Sequence, residues 1–223
     1  MKILCVSDEI DSLVYSNSVK TRFSDIDLVL GAGDLPLSYY GFIVSSLNKP
    51  LVFVFGNHKL SKIHLYRKRY HERFPSNVFP SDEVNSIGAV YAGGKIHRIK
   101  GLLIAGLGGS MRYNNGLNQF TNFGMRLQIL KLIPGLLWNR IFHGRYLDIL
   151  LTHAPPESIH DQFDICHRGF RPFRTFMKRF SPAFLIHGHI HLYDNNAVRT
   201  TRFHKTLVVN AFKHTVIDVE VTK

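Results

Sequence analysis

Five apolar runs in this chain each end in side chains that can donate to a metal ion or move a proton. Asp8 follows KILCVS, Asp34 follows IDLVLGAG, Asn57 and His58 follow PLVFVFG, His153 follows YLDILLT, and His189 and His191 lie in LIHGHIHLYD. These are oxygen and nitrogen donors with no thiolate among them. Such a set suits Mn²⁺, Fe or Zn²⁺ better than a soft metal, and a carboxylate placed between imidazoles can bridge two ions. Two ions about 3.5–4 Å apart can activate a water and clamp both oxygens of an in-line phosphoryl displacement. In LIHGHIHLYD, an extended backbone would put His187, His189 and His191 on one face, because side chains alternate along a strand.

The elements that must position these groups follow from the pattern around them. Runs at 2–8, 26–34, 50–58, 146–156 and 183–191 read as buried strands, each finishing in a polar cluster. Helical patterns at 37–48, 60–74 and 170–180 fall between them, which predicts an α/β alternation with ligands bound at the C-terminal strand ends. Stretches 87–92, 95–100 and 101–107 read as strands joined by GG and KG turns, with a second group at 199–203, 206–210 and 214–221. A mixed sheet system beside the parallel strands results. The segment 122–142 reads as a helix broken near Pro134 and Gly135, since proline removes a helical hydrogen bond. No repeat or linker marks a boundary, so residues 1–223 are expected to form a single domain.

The motifs run in the order D8-E-I, G33-D34, G56-N57-H58, T152-H153 and G188-H189-I-H191. In that order and register the chain resembles the calcineurin-like metallophosphoesterase family. The resemblance implies an α/β fold, a four-layer αββα sandwich of two mixed sheets flanked by helices. It implies hydrolysis of a phosphomonoester or phosphodiester at a dinuclear site, with two divalent ions, Mn²⁺ foremost and Fe or Zn²⁺ as alternatives. By the same resemblance Asp34 bridges the ions, Asp8 and His191 complete one site, and Asn57, His153 and His189 complete the other. His58 would protonate the leaving oxygen or stabilise the phosphoryl group, and His187 is not a ligand. The loop between the fourth and fifth motifs often lines the family's substrate pocket, which makes His167 and Arg168 candidate phosphate contacts.

Two positions depart from the family pattern. Ile10 stands where the first motif carries a histidine, and Lys59 where the third commonly continues with an acid. Loss of an imidazole implies a weaker first metal site. Purple acid phosphatases also lack that histidine and use a tyrosine instead, but Tyr39 and Tyr40 stand at the wrong offset. The departures sustain an alternative class, a ligand-depleted fold serving as a protein-interaction scaffold or as a module for anionic polymers or lipids.

Composition narrows the partners. Lys and Arg number 28 against 16 Asp and Glu, a formal +12, which favours a phosphorylated small molecule or nucleotide, nucleic acid, or an anionic lipid surface. The tract 59–73 adds basic residues with interleaved aromatics. Residues 123–145 are apolar with only basic charges and hold the sole tryptophan, Trp138; packing on a core is the usual fate of such a helix, and an interfacial cap is the alternative. With 2 cysteines there is no disulfide framework, so a reducing cytoplasmic setting is expected. The N-terminus lacks the pattern of a signal peptide, and LIPGLLW is far short of the ~20 residues that cross a bilayer.

Overall fold

A computed structural model describes residues 1–66, 87–194 and 196–220. The four N-terminal strands β1 (Lys2–Ser7), β2 (Leu28–Gly31), β3 (Leu51–Phe53) and β4 (Ala89–Tyr91) pair in parallel. The last strand, β13 (Lys213–Asp218), closes this first sheet antiparallel to β1. The second sheet is centred on β6 (Leu102–Leu107), β9 (Ile149–Thr152), β10 (Phe184–His187) and β12 (Thr206–Asn210), all parallel. Antiparallel β5 (Ile96–Ile99) and β11 (Thr200–Phe203) form its edges, and β7 (Ser110–Met111) with β8 (Gln119–Phe120) makes a small third sheet.

Both faces of each main sheet are covered, which is why the strands read as continuous apolar runs and not as alternating ones. On β1, Ile3 and Cys5 point inward to meet Leu30, Val52, Ile149 and Ile186 between the two sheets. Leu4 and Val6 point outward, where α1 (Val19–Arg22) and α2 (Leu37–Leu47) supply Val19, Tyr39 and Ile43. Across the molecule, Leu103, Leu150 and Leu185 face α4 (Asn122–His143) and α5 (Arg171–Phe180) through Met125, Leu136, Phe173 and Phe176. The result is the expected sandwich of helix, sheet, sheet and helix, each buried aliphatic side chain contributing about 1.5–3 kcal/mol. Cys5 and Cys166 are both free thiols.

Two helices differ from the sequence reading. Of the stretch 60–74, α3 (Ile63–Tyr66) is helical, and residues 67–74, and with them the 67–73 part of the basic tract 59–73, lie outside the described residues. The helix expected to break at Pro134 runs unbroken as α4. Proline removes only the bond to the Leu130 carbonyl, while the flanking turns are held by Leu132 and Leu136 in the core. The ends are fixed as well, since Thr121 Oγ1 accepts from Gly124 N at 3.1 Å and Gly144 closes the helix in the left-handed conformation.

Candidate metal centre

The strand ends of both sheets meet at one edge of the sandwich. Asp8, Asp34 and Asn57 follow β1, β2 and β3, while His153 and His189 follow β9 and β10. Asp8, Asp34, Lys59 and His189 all adopt positive φ, 67°, 58°, 52° and 68°, a conformation that costs on the order of 1–3 kcal/mol each and persists where the surroundings enforce it. The enforcing contacts are short. The Asp8 carboxylate accepts from His189 N at 3.0 Å through both oxygens, and Asp34 Oδ1 accepts from His58 N at 2.8 Å. Gly188 is required at this crossing, because a Cβ there would collide with Ser7 Oγ and Asp8 Oδ2.

The positive φ at His189 corrects the single-face reading of the three histidines. β10 ends at His187, and the chain then turns. His187 is fully buried, with Nδ1 2.9 Å from Gly188 O and Nε2 2.8 Å from His160 Nδ1. His160 Nε2 continues the chain to Thr201 Oγ1 at 2.8 Å. Burial holds both rings neutral, His187 down to about 3 and His160 down to about 4. His187 lies outside the group of donors that could hold an ion.

Asp34, His153 and His189 form the group that could hold a metal ion among the described residues. His153 Nδ1 lies 2.8 Å from the Ala32 carbonyl and His189 Nε2 lies 2.8 Å from the Cys166 carbonyl. A carbonyl only accepts, so each of these nitrogens carries the proton and the other presents a lone pair. Those lone pairs converge: His153 Nε2 is 3.1 Å from His189 Nδ1, 3.3 Å from Asp34 Oδ2 and 3.1 Å from Asn57 Oδ1. Asn57 is oriented by its Nδ2, which donates to Tyr113 Oη at 3.1 Å.

Bonds of about 2.0–2.2 Å to a central ion place neighbouring ligand atoms roughly 3.0–3.5 Å apart. The distances from His153 Nε2 fall in that range, the ligand atoms of Asp34, His153 and His189 all lie within 4.8 Å of one another, and their chemistry suits a divalent cation. Without an ion, a proton must resolve the crowding. Burial opposes charge on His153, but Asp34 outweighs it and holds the ring up at about 9. Burial and the neighbouring His153 push His189 down to about 4. Burial likewise works against the Asp34 carboxylate, yet His153 holds it below its ordinary value.

The other half is looser. His191 Nε2 stands 3.8 Å from Asp8 Oδ1. Its Nδ1 donates to Tyr193 Oη at 3.0 Å, because Tyr193 gives its own proton to Glu9 Oε1 at 2.5 Å. That chain leaves a lone pair on His191 Nε2. Lys59 Nζ reaches the Asp8 carbonyl at 3.5 Å, bringing positive charge to the side where Ile10 supplies no imidazole. Tyr39 and Tyr40 are buried in the outer core under α2.

His58 is exposed beside Asp34. The His167 ring lies 5.5 Å from that of His189, with Nδ1 held by Asp164 at 2.9 Å. Arg168 lines a neighbouring cavity of about 640 Å³ with Arg171, Arg174, Glu157 and Asp161, so the two members of the proposed phosphate pair face different spaces. Gly109, in the IAGLGGS run, is a tight bend with φ 88° packed on Asn118. Sequence reading missed Tyr113, Tyr193 and Asn118, whose Nδ2 donates to Phe55 O and Gly56 O at 3.2 and 2.7 Å and fixes the third motif.

A profile of the calcineurin-like phosphoesterase family matches residues 1–193. No curated protein matches the chain. Among solved structures, TT1561 of Thermus thermophilus superposes with a TM-score of 0.60 at 14% identity, over 95% of this chain and 89% of that one. A second crystal structure gives 0.65 at 14% identity, over 97% and 94%. GAP50, the anchor in the inner membrane complex of Plasmodium, gives 0.50 at 9% identity, over 94% and 70%. At these identities the likeness is one of fold.

Proposed function

The chain belongs to the calcineurin-like phosphoesterase family, and from that premise we propose that it is a metal-dependent phosphoric ester hydrolase acting on a monoester or diester of a small molecule or nucleotide. The observation that carries this reading is the gathering of the Asp34, His153 and His189 ligand atoms within 4.8 Å of one another. Asn57, His153 and His189 would hold one divalent ion and Asp8 and His191 a second, with Asp34 shared between them. Oxygen and nitrogen donors suit Mn²⁺, with Fe and Zn²⁺ also accommodated. When bound, such ions polarise the phosphoryl oxygens and activate a water for in-line attack.

The chain's own residues do the rest. The Ala32 and Cys166 carbonyls lock the two imidazoles in their ligating tautomers. His58, fixed by its backbone bond to Asp34, carries the proton to the leaving oxygen. His167 contacts the phosphate beside His189, and Arg168 draws an anionic extension of the substrate toward the adjoining cavity. Free cysteines fit a cytoplasmic setting.

Asp34→Asn should lower turnover of a chromogenic phosphoester by on the order of a hundredfold or more while the protein stays folded; full metal content with full turnover in that variant would overturn the assignment. A binding module without catalysis is the second reading, favoured by Ile10 and the open spacing of Asp8 and His191. Failure of the wild type to take up metal or to hydrolyse mono- and diesters with Mn²⁺, Zn²⁺ or Fe would select it.

A further inference from the structure

The helix α4 is apolar on two opposite sides. Met125, Leu132 and Leu136 face the core. Phe123, Leu130, Leu137, Trp138, Ile141 and Phe142 recur at helical spacing along the other side. That outer stripe is solvent-facing, with Phe123 67%, Trp138 60%, Ile141 75% and Phe142 58% exposed, and the Trp138 and Phe142 rings pack together 4.1 Å apart. Scattered exposed side chains need no explanation, whereas a contiguous apolar stripe on one helix marks an interaction surface.

Charge selects the partner. No Asp or Glu occurs from Asn122 to Leu147 or within α5, while α4 carries Arg126, Lys131 and Arg140. Two copies meeting through this face would bring like charges together. An anionic lipid surface satisfies both features at once: acyl carbon for the stripe and headgroup charge for the flanking cations. A cavity of about 310 Å³ opens beside the stripe between α4 and α5, lined by Leu130, Ile133 and Phe176 with Arg126 and Arg179. No helix among the described residues is long and apolar enough to cross a membrane.

We propose that the outer face of α4 docks on an anionic bilayer, the helix lying in the plane of the interface, with an acyl chain entering the slot beneath Arg126 and Arg179. The helix begins shortly after Tyr113 and Asn118, which contact the Asn57 loop of the candidate metal centre. The surface acts independently of whether the centre hydrolyses anything.

The sole tryptophan of the chain lies in the stripe and serves as its own reporter. The full-length protein is mixed with vesicles of phosphatidylcholine alone or of phosphatidylcholine with phosphatidylglycerol, and co-sedimentation and Trp138 emission are followed against salt. Binding to the phosphatidylglycerol vesicles with a blue shift, weakening as salt rises, is the expected result. An Ile141→Ser, Phe142→Ser double variant should lose affinity by about tenfold or more with unchanged melting, since both side chains are exposed. Arg126→Gln with Arg179→Gln should reduce the preference for phosphatidylglycerol. Absence of binding, binding unaffected by the serine variant, or an emission shift that follows protein concentration without lipid would overturn the proposal, the last by identifying a second copy as the occupant.

Discussion

Where the family motif carries a histidine, Ile10 stands 46% exposed, and Asp8 and His191 face each other across 3.8 Å. In the inner group, Asp34, His189 and Asn57 each stand 3.1–3.3 Å from His153 Nε2, whereas the outer pair is more open. Calorimetric titration should therefore show one tight divalent site and a second that fills only at higher concentration. Ile10→His should bring the second site closer to the first, and two equally tight sites in the wild type would contradict this account. The candidate ligands were legible from sequence because each sits at the end of an apolar run, in a fixed order. Their supports were not: Tyr113, Asn118 and Tyr193 lie in loops, where a polar side chain has no periodicity to reveal its partner. Only the folded positions of Asn57, Gly56 and His191 give those residues a task.

At the scale of elements, the centre depends on how closely two strand ends can cross. Just past β10, Gly188 crosses the end of β1 with no room for a side chain against Ser7 and Asp8. Gly188→Ala should cost about 1–3 kcal/mol of stability, as overpacking does, and weaken metal binding with it; denaturant unfolding alongside metal titration checks both. The loop carrying His160 is tied to β10 and β11 through His187 and Thr201. Both rings are kept neutral by burial, with His160 held down at about 4 and His187 at about 3. As pH falls below the ordinary 6.5, the unfolded chain gains protons that the folded one refuses. The contribution of these two rings to stability should thus be full above 6.5 and decline as pH falls toward 4, and His160→Gln should flatten that acid-side decline in thermal melts. Strands were readable as apolar runs with polar ends, but their stopping points were not. The turn after His187 and the continuity of α4 through Pro134 are set by packing across the fold, which local propensity does not contain.

The whole molecule places the candidate metal centre on a seam. Asp8, Asp34 and Asn57 come from the first sheet, and His153, His189 and His191 from the second. The chain's last strands cross the same seam, since β11 and β12 complete the second sheet and β13 returns to pair with β1 of the first. Between the sheets, Ile3, Cys5, Ile149 and Ile186 form a continuous apolar layer; at its polar edge stand buried carboxylate and imidazoles that apolar packing cannot satisfy. In the metal-free chain a proton on His153 meets Asp34 there, and as pH rises through about 9 that proton leaves and its contribution to stability goes with it. A divalent ion would replace the proton and tie one sheet to the other. Because an unfolded chain offers no such cluster, binding at a hundred times the dissociation constant should add about 2.7 kcal/mol of stability. Melting temperature should rise with Mn²⁺, return to its starting value on chelation, and gain most at alkaline pH, where the proton no longer competes. Asp34→Asn should abolish the rise while leaving the core melt intact, and a wild-type transition indifferent to metal would mean that the seam is held by packing alone.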